Sequence, residues 1–190
     1  MDNYRVGYIV GSLATESINR RLARALVLLA PPSLTFTEIA IKDLPLYSYD
    51  YDVDYPPAAR AFKQALLDSD AIMFVTPEYN RSIPGALKNA IDWASRPYGT
   101  NALAHKPCAV IGASSGKIGT AIAQQHLRSV LGFCDAFQMN HPEGYIQLTP
   151  GLITDEGEVT VDSTRDFLRV YMQEFAGFLE RFFRGQSHDE

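Results

Sequence analysis

Short, unbroken apolar runs recur along this chain with helical segments between them, and that alternation constrains the fold more than any other feature. Residues 5–10 read RVGYIV, 71–75 read AIMFV and 108–112 read CAVIG. Strands apolar on both faces belong to a parallel sheet covered by helices on both sides. Segment 18–29 sets Leu22, Leu26 and Leu29 at helical spacing, with Arg20, Arg21 and Arg24 on other faces and Pro31-Pro32 as a stop. Segments 58–67, 83–94, about 120–131 and 167–183 read as four more helices. Residues 34–41 alternate like an edge strand, and 136–140 supply a fifth. Two stretches read as irregular: 141–160, and the Tyr- and Asp-rich "DLPLYSYDYDVDYPP" at 43–57. The expectation is an α/β fold: one domain over 1–190, three-layer and doubly wound, with a five-stranded parallel sheet in the order 2-1-3-4-5.

Composition narrows the function classes. The chain has 190 residues, 46% apolar and 21% charged, enough to bury a core without disulfides. Net charge is −5 and no Lys/Arg block occurs, so a nucleic-acid partner is not expected. No apolar run reaches the roughly 20 residues of a membrane span, and the N-terminus lacks a signal-peptide layout. Cys108 and Cys134 lie in no CxxC and read as buried free thiols of a cytoplasmic protein. The histidines at 105, 126, 141 and 188 have no ligand spacing, and no metal site is expected.

In doubly wound sheets ligands bind beyond the carboxyl ends of the strands, where strand order reverses. Three turns meet there. The first, "GSLATESIN" (11–19), carries Ser12, Thr15, Ser17 and Asn19 at the start of a helix. Free N–H groups and the helix dipole make that start an anion site, and Ser17 also suits a simple helix cap. With neither GxxxxGK[ST] nor GxGxxG, the loop suits a phosphate monoester rather than a pyrophosphate. Arg20 or Arg21 would offset Glu16 beside such a dianion. The second turn opens "TPEYNRSIPG" (76–85): Ser82 is placed to cap the next helix and Pro84 to fill its first turn. Pro77, Glu78, Tyr79 and Asn80 have no such structural explanation. In that helix Trp93 reads as core or subunit contact. The third turn, "GASSGKIGT" (112–120), sets Ser114 and Ser115 beside Gly116, where backbone approaches a flat ligand closely.

Taken together, "GSLxxxSxN", "TPEYNxSxPGxLKNAIDW" and the Ser/Gly turn resemble the NADPH-dependent FMN reductase family, within it the quinone and chromate reductases. The resemblance spans nearly the whole chain and implies a flavodoxin-like fold, FMN as cofactor and NAD(P)H as co-substrate. It implies that Ser12, Leu13, Ser17, Ile18 and Asn19 hold the FMN phosphate. Pro77, Glu78, Tyr79 and Asn80 would line the isoalloxazine edge, with Ser114, Ser115 and Gly116 closing the other side. The family commonly has Arg where this chain has Ala14, and a second Gly where it has Thr120.

The expected activity is two-electron transfer from NAD(P)H through FMN to quinones or similar acceptors, with chromate, azo compounds and free flavin as further candidates. No acid–base side chain is assigned, because the flavin carries the chemistry. A flavodoxin-type electron carrier and a non-catalytic flavin-binding module are the alternatives. Tyr47, Tyr49, Tyr51 and Tyr55 concentrate aromatic area in one surface loop. With Trp93 they suggest a homodimer or homotetramer.

Overall fold

A computed structural model describes residues 3–186. In chain order the elements are β1 (Tyr4–Val10), α1 (Ile18–Leu29), β2 (Leu34–Glu38), α2 (Pro57–Leu67), β3 (Ala71–Val75) and α3 (Gly85–Ser95). Then follow β4 (Pro107–Ser114), α4 (Ala121–Phe133), β5 (Phe137–Gln138), β6 (Gly144–Gln147) and α5 (Asp162–Gln186). All strand pairings are parallel, in the order β2-β1-β3-β4-β5, as the alternation predicts.

One strand was not expected. β6 lies in the stretch read as irregular and pairs Gly144–Gln147 with Ile111–Ser114, whereas β5 pairs only with Pro107 and Cys108. The last strand is thus split in two along β4. The interruption contains Pro142, which has no N–H to give a ladder. β4 therefore runs to Ser114, two residues past the expected end, and carries Ala113 to the ligand-side rim of the sheet.

Successive side chains of the central strands serve opposite layers. Val6, Met73 and Ile111 pack with Leu22 and Leu26 of α1 and Phe175 and Leu179 of α5. Ile72, Phe74 and Val110 pack on the other face with Leu66, Trp93 and Leu127 of α2, α3 and α4. Cys108 and Cys134 are buried free thiols, and burial pushes Cys108 up to about 12. The unreactive protonated form therefore dominates at neutral pH.

The loop at 43–57 is not an open aromatic surface. Trp93 is fully buried, and the rings of Tyr47, Tyr51 and Tyr55 stand 5.1, 5.5 and 4.9 Å from it, centroid to centroid. Trp93 Nε1 donates to the carbonyl of Pro45 at 2.7 Å, and Tyr55 donates to the backbone carbonyls of Trp93 and Arg96. Of the four tyrosines, Tyr49 alone is strongly exposed. Trp93 thus belongs to the core, and the loop is its lid. Three of the four tyrosines pack on Trp93 within one chain, so their aromatic area is accounted for without a subunit contact. Trp93→Ala should cost about 3–5 kcal/mol, measured by urea unfolding of the flavin-free chain. A loss below about 1 kcal/mol would contradict the cluster's structural role.

Candidate functional site

Three loops at the carboxyl ends of β1, β3 and β4, here loops 1 (11–17), 3 (76–84) and 4 (115–120), wall a cleft of about 250 Å³. Ser12, Ser17, Ile18, Asn19, Pro77, Glu78, Tyr79, Ser114 and Ser115 all line it, and Ala14, Glu16 and Ala113 join them. Leu13 faces a neighbouring groove shared with Arg20 and Glu38. Asn80 and Gly116 adjoin lining residues in the chain without lining the cleft themselves. A wider groove of about 510 Å³ runs between α3 and α4, past Ile83, Lys88, His126 and Val130. It is mostly apolar, so the strand-end cleft is the better polar-ligand site.

Loop 1 ends at Ser17, the N-cap of α1, with extended backbone (φ −78°, ψ 123°) and no capping bond from its side chain. Its hydroxyl bonds to no other described group, although the residue is only 7% exposed. Ile18 and Asn19 follow as the first two helical residues, whose N–H groups have no acceptor within the helix. Ser12 Oγ accepts from Ala14 N at 3.3 Å and shapes the loop.

Asn19 departs from expectation. Its side chain is fully buried: Nδ2 donates to the Ala113 carbonyl at 2.9 Å, and Oδ1 accepts from Ala113 N at 2.8 Å. The carboxamide is thus not an open ligand donor. It clasps the end of β4, and only the backbone N–H of Asn19 points to an anion role.

Loop 3 has the structural reasons that the sequence did not show. Tyr79 N donates to Ser82 O at 3.0 Å and Ser82 N to Tyr79 O at 2.9 Å, closing a two-residue hairpin turn. Asn80 (φ 51°) and Arg81 (φ 60°) both take the left-handed conformation that such a turn requires. Asn tolerates that region better than most residues, which accounts for its place. Glu78 has its side chain only 7% exposed. Its Oε2 accepts from the N–H groups of Ile122 and Ala123, both at 3.1 Å, and its Oε1 pairs with Arg81 Nη1 at 3.1 Å. A carboxylate on two free amides at a helix start also favours the helix dipole. Glu78 therefore caps α4, an anchor across 44 residues. Tyr79 stays 52% exposed at the rim. Ser82 does not cap α3: its hydroxyl meets His126 Nδ1 at 3.1 Å, and α3 starts after Pro84.

In loop 4, Ser114 Oγ accepts from Gly116 N at 3.1 Å, while Ser115 and Gly116 are exposed. Gly119 (φ 57°) has no room for a side chain, since a Cβ would stand 2.8 Å from the Tyr145 backbone carbon. Thr120, where the resembling family often has glycine, is buried, accepts from Gln124 Nε2 at 2.8 Å and packs over Gly112. Among the described residues no His/Cys/Asp/Glu group could hold a metal, and no helix is long and apolar enough to cross a membrane.

The cleft thus offers a row of open donors at the start of α1 and a backbone-rich wall opposite. A family profile described as NADPH-dependent FMN reductase matches residues 4–149. A 2-hydroxy-1,4-benzoquinone reductase of Burkholderia sp is 49% identical over 175 residues, covering 92% of this chain and 96% of that protein. A quinone reductase of Pseudomonas putida is 47% identical over 178 residues, 93% of this chain and 95% of its own. Among solved structures, FerB, a flavoenzyme NAD(P)H:(acceptor) oxidoreductase from Paracoccus denitrificans, superposes with a TM-score of 0.90 at 42% identity, covering 94% of this chain and 98% of that one. On this agreement in sequence, fold and cleft, the chain belongs to the NADPH-dependent FMN reductase family.

Proposed function

We propose that this chain holds one FMN in the strand-end cleft and passes two electrons from NAD(P)H to quinones. The observation that carries this reading is the Ser17 hydroxyl, which opens into the cleft from an otherwise buried residue and bonds to no described group, beside the unpaired N–H groups that open α1. An uncommitted hydroxyl beside free helix-start N–H groups forms a donor set that a phosphate monoester matches. The residues present therefore fit FMN. When bound, FMN supplies the two-electron chemistry between NAD(P)H and the acceptor.

The protein's part is to bind and to orient. Ser12, Leu13, Ser17, Ile18 and Asn19 form the phosphate end, with Asn19 acting through its N–H and through its hold on β4. Pro77 to Asn80 present backbone edges to the ring, and Glu78 and the turn keep them rigid. Ser114, Ser115 and Gly116 close the opposite side, and Tyr79 stands at the open rim where an acceptor arrives. The quinone names of the relatives in Burkholderia and Pseudomonas support quinones as the acceptor class. Two buried, unpaired cysteines support a reducing compartment, the cytoplasm.

A homodimer or homotetramer remains part of the proposal on a different basis. The apolar α3–α4 groove borders loop 3 through Ser82 and Ile83, where a second subunit would complete the acceptor pocket. Light scattering at micromolar concentration should show an assembly; a fully active 21.1 kDa species would contradict it.

The direct test of function is to denature the purified protein, identify the released flavin, and assay NADH and NADPH oxidation with a quinone. FMN and quinone-dependent turnover are expected; FAD, or no turnover with FMN added, would refute the reading. Ser17→Ala should weaken FMN binding by about 1–2 kcal/mol while the melting temperature of the flavin-free chain stays near the parent's. Asn19→Ala should lower both, since it opens the clasp on Ala113. Unchanged FMN affinity in Ser17→Ala would remove Ser17 from the phosphate site.

A further inference from the structure

A second, strongly polar cleft of about 240 Å³ opens on the outer side of loop 1, and Ser17 and Glu16 line it as well as the main cleft. Arg20, Arg21 and Arg24 project into it from α1. Helical side chains lean toward the N-terminus of their helix, which takes the first two of these toward Ser17. We propose that Arg20 and Arg21, with the Ser17 hydroxyl, form a pocket for a phosphate monoester dianion, occupied by the 5′-phosphate of FMN. This rests on FMN occupying the strand-end cleft.

Charge and commitment of donors single out these two. A dianion at Ser17 stands beside Glu16, an exposed carboxylate without a hydrogen-bond or ion-pair partner among the described residues. Loop 1 carries no cation of its own, since Leu13, Ala14 and Thr15 are uncharged and the Ala14 N–H already serves Ser12. The offsetting charge must then come from α1. Arg24 donates to the Asp155 carbonyl and is held at the far end of the cleft. Arg20 has one nitrogen on Glu38 Oε1 at 2.5 Å, leaving most of its five N–H donors open. Arg21 is the least committed: its carboxylate neighbour Asp155 is 3.7 Å away and 72% exposed, and its bond to the Ile153 carbonyl is long at 3.5 Å. An exposed pair of that kind contributes little. An uncommitted hydroxyl and two guanidiniums with open donors thus face one small cleft.

The test titrates the flavin-free full chain with FMN and with riboflavin, which lacks the phosphate, following flavin fluorescence. Arg20→Gln, Arg21→Gln and the double variant are compared with the parent and with Arg169→Gln, a distant control on α5. The double variant should bind FMN about tenfold more weakly, the scale of one charge-assisted hydrogen bond. Riboflavin affinity and the melting temperature should not move. Unchanged FMN affinity, or equal weakening of both flavins, would overturn the proposal. A second arm measures NADP⁺ and NAD⁺ binding to the FMN-loaded chain. Loss confined to NADP⁺ would overturn the assignment to FMN and give the pocket to the coenzyme's 2′-phosphate. If the parent itself does not prefer FMN to riboflavin, the FMN reading of the cleft fails, and this pocket with it.

Discussion

Asn19 stands at the start of α1, yet its carboxamide exchanges two hydrogen bonds with the backbone of Ala113, 94 residues away at the end of β4. A carboxamide reproduces the donor and acceptor of a peptide group, so it pairs with a strand end as a further strand would. The pair is fully buried, and breaking it would leave polar groups without water at a cost of about 1–3 kcal/mol each. Everything the cleft does depends on this clasp. It sets the first turn of α1, with its open amides, at a defined distance from loop 4.

A second clasp completes the frame. Glu78 leaves loop 3 to cap α4, and its other oxygen holds Arg81 in a left-handed conformation that costs a residue of this type on the order of 1 kcal/mol. The two anchors divide the work of the site. Side chains join the loops to one another, while hydroxyls and backbone groups are left to face the cleft. A flavin has a flat, polar edge and an anionic tail, and rigid backbone donors suit both ends better than long side chains with rotamer freedom to lose.

The sheet was readable from the chain because RVGYIV, AIMFV and CAVIG are apolar on both faces, a pattern that only a covered parallel sheet requires. β6 was not readable: GYIQ is short, half polar and separated from β5 by Pro142, and its strand character comes from pairing with β4. The three site loops could be located from their place after strands, and their composition pointed to a phosphate and a planar ring. The roles of Asn19 and Glu78 could not, since each depends on a partner from 44 to 94 residues away. The packing of the tyrosines of 43–57 was hidden for the same reason. Local composition reports aromatic area, and only tertiary contact reveals that Trp93 is beneath it. Asn80 carried half of a readable signal, since Asn favours the left-handed region, whereas Arg81 after it does not.

The central claim is that loops 1, 3 and 4 form one flavin site with the phosphate at the start of α1. A crystal structure of the full chain loaded with FMN tests it most directly. The account predicts the phosphate in hydrogen-bond contact with the Ser17 hydroxyl and the N–H groups of Ile18 and Asn19, with the ring edge along Pro77 to Asn80. A flavin seated in the α3–α4 groove, or a phosphate that leaves Ser17 untouched, would contradict it.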